Sequence, residues 1–121
     1  MGMKVRYRFF EGSAEEQTWE KWQEYFIRSP NIANLHGENL EIGWEAYRDG
    51  SLVYYDRPAE ERAAVRLEDV QVHVIDDRTA WATGVFVNTI GEKEMRPLFF
   101  DMLIKTGDGW QVFFSYVAPP R

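Results

Sequence analysis

The run "DGWQVFFSYVAPP", residues 108–120, sets two hydroxyls, Ser115 and Tyr116, inside an almost unbroken apolar stretch. A carboxylate, Asp101, stands in a similar setting between Phe100 and Met102. A carboxyl buried among such neighbours has a raised pKa and can take and return a proton near neutrality. A phenol has a reference pKa of about 10, so Tyr116 stays protonated and can donate to a developing oxyanion. Adjacent strand residues point to opposite faces. If Trp110, Val112 and Phe114 line the helix-facing side, Tyr116 shares it and Ser115 faces away. Asp101 as base and Tyr116 as donor are thus the expected catalytic pair. Ser115 has no His–Asp partnership and reads as structural. His36 ends a short strand, and His73 sits between Val72 and Val74, where it reads as an interface residue. Their spacing suits no metal, and there is neither a Gly-rich phosphate loop nor a nucleophile elbow. No metal and no cofactor are expected.

These groups must be positioned by one domain, since the chain has 121 residues. A domain of this size buries roughly 65% of its unfolded surface, enough for one core. There is no cysteine, so disulfides and thiolate metal sites are excluded. No apolar run suits a signal peptide or approaches the ~20 residues of a membrane span, so a soluble, cytoplasmic protein is expected. Twenty acidic against fourteen basic residues give a net charge of −6, which repels phosphate backbones and argues against nucleic acid. The small basic cluster Lys4, Arg6 and Arg8 reads as a solvated strand face. Aromatic residues make up 16% of the chain and must fill a core, a pocket or an interface.

"KVRYRFF" alternates like a half-buried strand. Ser13 and Glu16 form a capping-box pattern, and Trp19, Trp22 and Phe26 recur at helical spacing. A helix is therefore expected from about Ala14 to Arg28, stopping before Ser29-Pro30. "NIANLHG" reads as a short strand. "GWEAYRDGSLVYYDRP" reads as a second helix, weakened at Gly50 by about 1 kcal/mol relative to Ala. From Val65 the period becomes two. "VRLEDVQVHVI", "TAWATGVFVNTI", "LFFDMLIK" and "WQVFFSYVA" are strands joined by short connections and hence antiparallel, with "GEKEMRP" as a loop. Helices first and a meander afterwards make an α+β domain. The last two strands are apolar on both faces. Helices can cover one face; a second copy of the chain is the simplest cover for the other, so a homodimer through the outer sheet face is expected.

The order of "EYFIRSPNIANLHG…GWEAY", "VQVHVIDDRTAWATGVF" and "FFDMLIKTGDGWQVFFSYVAPP" resembles the SnoaL-like branch of the nuclear transport factor two-like superfamily, most clearly over residues 22–118. The resemblance implies one SnoaL-like domain over residues 1–121: a cone-shaped half-barrel, with a curved antiparallel sheet wrapped around N-terminal helices and an apolar pocket at the cone's mouth. Trp22, Tyr25, Trp44, Tyr47 and Phe114 are the expected ligand-binding wall. Two departures stand out. A strand-like segment precedes Ser13 where the family has a long first helix. Tyr116 and Ala118 stand where many relatives keep a His and a small hydroxyl.

Fold does not choose function here, because the superfamily holds enzymes and non-catalytic modules alike. One class is a domain binding a small apolar, carbonyl-bearing ligand and catalysing isomerisation, cyclisation or dehydration by proton transfer. The other is a non-catalytic dimeric association module. An open apolar cone with convergent polar groups favours the first; a cone plugged by Trp22, Trp44 and Phe114 favours the second.

Overall fold

The computed structural model describes residues 10–119. The expected strand over "KVRYRFF" and its basic cluster lie outside the described residues, apart from Phe10. In chain order the elements are α1 (Trp19–Gln23), β1 (Ala33–His36), β2 (Asn39–Ile42), α2 (Trp44–Tyr55), a 3-10 turn (Ala59–Glu61), β3 (Ala64–Val74), β4 (Thr79–Ile90), β5 (Lys93–Met95), β6 (Leu98–Thr106) and β7 (Gly109–Val117). The strands form one curved, unclosed sheet in the order β2-β1-β7-β6-β4-β3, with β5 paired to β4. The architecture is α+β, as the pattern of helices followed by alternating strands requires.

The sheet is mixed where an antiparallel one was expected. β3, β4, β6 and β7 do form antiparallel neighbours, but β1 lies parallel to β7, with Asn34 opposite Ser115 and His36 opposite Val117. β7 is long enough to serve two partners along its free edge. Residues 25–27 bond to its first half through Val112 N to Tyr25 O at 2.6 Å and Ile27 N to Val112 O at 3.1 Å. β1 takes over its second half. That docking ends α1 early, because the backbone of Tyr25 and Ile27 is committed to the sheet.

The first helix is shorter at its start too. The capping box forms, with Ser13 N donating to Glu16 Oε1 at 2.9 Å, but it closes only a turn. Thr18 is extended and caps a new start by accepting from Lys21 N. Between them Gln17 is drawn inside. Its Nε2 donates to the carbonyls of Phe10 and Gly12, its Oε1 accepts from Trp22 Nε1 at 2.6 Å, and the Arg62 guanidinium holds its own carbonyl. A side chain satisfying two backbone carbonyls outweighs the weak preference for continuing a helix.

The core lies between the inner sheet face and the helices. Ala80, Ala82, Phe99, Leu103 and Val112 come from the sheet; Phe10, Phe26 and Tyr47 pack over them. Gly84 shows how closely they fit. A Cβ there would stand 2.8 Å from the Phe99 ring, so the missing side chain lets Phe99 lie flat across β4.

Candidate functional site

Directly opposed residues on neighbouring strands share a face, so register decides which side chains meet. Asp101 faces inward, opposite Ala82 on β4 and Ser115 on β7. Ser115 in turn lies beside Asn34 on β1, and Asn34 beside Glu41 on β2. Four adjacent strands thus present Asp101, Ser115, Asn34 and Glu41 in one row across the inner face. At the usual strand spacing the row spans roughly 14 Å. Asp101, Ser115 and Asn34 are each no more than 6% exposed, in a place that the core's chemistry alone would give to Val or Leu.

The row forms one wall of an open cavity of about 590 Å³. Tyr47, Gly50, Ser51, Tyr54 and Tyr55 of α2 face it, and Phe10, Trp22, Phe26 and Phe86 supply apolar surface. Burial pushes the Tyr47 phenol well above its ordinary pKa, and the carboxylates of Asp101 and Glu41 push it further. A hydrogen bond with Ser51 acts the other way, as a donor to the phenol oxygen would. Tyr47 therefore keeps its proton at neutral pH and can present it to a ligand. Burial also raises the Glu41 carboxyl and lowers the His36 imidazole, which favours neutral His36 near pH 7.

The expected residues divide. Asp101, Trp22 and Tyr47 come together around the cavity. Tyr116 does not join them: it pairs with Phe100 on the outer face, so the Asp101–Tyr116 pair is split across the sheet. Phe114 is likewise off the cavity, opposite Met102. The cause is a β-bulge. Leu103 pairs with Val112 and Met102 with Phe114, leaving Phe113 unpaired and reversing the phase of everything after it. Ser115, read as structural and outward-facing, is thereby turned in. Trp44 stacks on Trp19 at 5.6 Å and carries the Arg28 guanidinium 5.3 Å from its ring centre, away from the cavity. Tyr25 is buried against Phe10 at 4.8 Å. It borders a separate groove of about 600 Å³ with Gln23, Arg28 and Asp108. His73 lies on the outer face, stacked on Trp81 at 4.1 Å.

Sequence reasoning missed Ser115, Asn34, His36, Asn39 and Glu41. The Phe113-Phe114 doublet gave no sign of the bulge, since regular alternation also gives one aromatic to each face, as Phe99-Phe100 does in unbroken register on β6. Period two in "NIANLHG" did put Asn34 and His36 together, but polar residues are ordinarily assigned to the wet face. Among the described residues no cluster of three or more His, Asp or Glu could hold a metal ion, and no helix is long and apolar enough to cross a membrane.

No family model and no curated protein matches the chain by sequence. Solved structures match it by shape. A Streptomyces avermitilis protein, provisionally called a dehydratase of the NTF2-like family, superposes with a TM-score of 0.79 at 15% identity, covering 96% of this chain and 92% of that one. A Parabacteroides distasonis protein, provisionally called a ketosteroid isomerase, gives 0.72 at 11% identity, covering 96% and 83%. A Nostoc punctiforme domain of unknown function with a cystatin-like fold gives 0.74 at 15% identity, covering 96% and 74%. At these identities the likeness is one of fold, and the chain has the nuclear transport factor two-like, ketosteroid isomerase-like fold.

Proposed function

We propose that the chain is a small-molecule-binding enzyme of the isomerase or dehydratase type, acting by proton transfer on an apolar ligand that bears a carbonyl. The observation that carries this reading is the Asp101–Ser115 pair, turned inward on the wall of an open cavity of about 590 Å³. Asp101 is the base, and the role first assigned to Tyr116 passes to Tyr47. Asp101 takes a proton from the carbon beside the carbonyl. Tyr47 donates a hydrogen bond to the oxygen where negative charge then collects. The proton returns to a different carbon in an isomerisation, or to a departing hydroxyl that leaves as water in a dehydration. Aromatic side chains hold the ligand's apolar body. The dehydratase and isomerase names of the structural neighbours fit this chemistry.

The test is ultraviolet absorbance on unconjugated enones and β-hydroxy ketones, both of which gain conjugation on turnover. Asp101→Asn should lower the rate on the order of 10²–10⁴-fold with the fold retained. Wild-type turnover in that variant would overturn the assignment. Binding without turnover in the wild type would favour the non-catalytic module, although Trp44 and Phe114, two of the three residues expected to plug such a cone, lie off the cavity.

The same reading includes a homodimer through the outer sheet face. Trp81 stacks on both His73 and Phe100 there, and Tyr116, Met102 and Phe114 belong to the same face. Light scattering at micromolar concentration should give twice the monomer mass, and Trp81→Glu should halve it. A wild-type monomer would contradict it.

A further inference from the structure

The β1–β2 hairpin is built inside out. Its register pairs Ala33 with Ile42, Asn34 with Glu41, Leu35 with Leu40 and His36 with Asn39. Asn34, His36, Asn39 and Glu41 line the cavity; Ala33, Leu35, Leu40 and Ile42 do not. Every inward position is polar, while Leu40 and Ile42 are 54% and 63% exposed on the other side. A one-residue slip would exchange the two sets and turn the apolar one toward the cavity. The hairpin keeps the register that burial opposes, held by parallel pairing to β7 and by Gly37 N donating to Val117 O at 2.8 Å.

We infer that the inward face of this hairpin is a second, polar subsite of the cavity, which takes a hydrogen-bond-donating end of the ligand, a hydroxyl or a protonated amine. The inference rests on the cavity being a ligand site. Three acceptors converge in this corner. Asn34 Oδ1 is buried without a partner among the described residues. The side chains of Glu41 and His36 form no hydrogen bond or ion pair among the described residues. Glu41 is not accidentally placed. A Cβ on Gly50 would collide with its carboxylate, so α2 leaves a gap in its surface where that carboxylate rests. An anionic end is disfavoured. Arg57 is the only Arg or Lys among the described lining residues, and it sits about two helical turns beyond Gly50, near Tyr54. The ligand is thus two-ended: its carbonyl lies near Asp101 and Tyr47, and its donor group near Glu41, His36 and Asn34.

Calorimetric titration of four flat probes tests this. They are a naphthalene diol with hydroxyls at opposite ends, its monomethyl ether, the matching hydroxynaphthoate, and the matching hydroxynaphthyl-methylamine. Wild type should bind the diol or the amine about tenfold more tightly than the ether, the ordinary worth of one hydrogen bond to a charged acceptor. The amine leading the diol would identify a cationic end; the diol leading, a neutral one. Glu41→Leu should erase the preference for the diol over the ether. His36→Gln should reduce it, which guards against a misfolded first variant. Equal binding of diol and ether by wild type, or tighter binding of the naphthoate, would overturn the subsite and leave the cavity reading standing. Failure of all four probes to bind would instead remove the cavity reading, and the subsite with it.

Discussion

The β6–β7 ladder and the β1–β2 hairpin belong to one sheet and follow opposite rules. Along β6–β7 the inward residues Phe99, Leu103 and Val112 are each no more than 2% exposed, and only the Asp101–Ser115 pair interrupts them. Along β1–β2 the inward positions are all polar and the apolar ones face out. The ladder draws its free energy from burial. The hairpin contributes little of that kind and is held in place by its neighbours. Stability and ligand chemistry are therefore carried by different strands, and the row from Asp101 to Glu41 is where the two regimes meet.

Substitutions should separate the two regimes. The largest effect belongs to the ladder. Phe99→Ala removes a fully buried ring fitted against Gly84 and should cost about 3–5 kcal/mol in chemical denaturation. A loss below 1 kcal/mol would show that the ladder is not the stabilising half. In the hairpin the sign should reverse. Asn34→Leu replaces a buried amide whose Oδ1 lacks a partner, and should raise stability by about 1–2 kcal/mol while weakening binding of the naphthalene diol. A destabilised variant would mean that the amide is already satisfied and the contrast false.

The smallest effects are in pH. The folded pKa of His36 lies below its reference value of 6.5, through burial. The unfolded chain then binds the proton more readily. Stability from this group is complete above pH 6.5 and falls as pH drops through the folded value. His36→Gln should flatten the acid limb of a melting-temperature profile. Glu41 has the opposite sign. Its folded pKa is raised, so its contribution is complete below its reference value of 4.5 and is lost as pH rises through the folded value. Glu41→Gln should therefore stabilise the protein at pH 7 and do nothing near pH 4. Identical profiles for both variants and wild type would show that neither group is desolvated by the fold.

Much of the fold was legible because period-two alternation is plain in β3, because the later strands are apolar runs bounded by turns, and because short connections enforce antiparallel neighbours. The second helix was legible in the same way, with Trp44 and Tyr47 at helical spacing. Other features depend on contacts distant in sequence. Nothing local in residues 14–28 announces that Gln17 will bond to Phe10 and Gly12, or that residues 25–27 will dock on Val112. The site was half legible. Asp101 was conspicuous as a lone carboxylate in an apolar run. Its partner was assigned by counting twos from Trp110, and one unpaired residue, Phe113, moved the answer from Tyr116 to Ser115. The hairpin was hidden by its own pattern, since the alternation was plain and only its direction was inverted.

Gly50 carries a consequence for how such a cavity could change over time. A glycine in mid-helix costs about 1 kcal/mol relative to alanine, and a single substitution would recover it. The same substitution would evict the Glu41 carboxylate from its resting place and alter the cavity's charge at that corner. The position is therefore a point of exchange between robustness and selectivity. A lineage drifting toward heat tolerance would meet it early, and the change in ligand preference would follow without any mutation in the strands that hold the ligand.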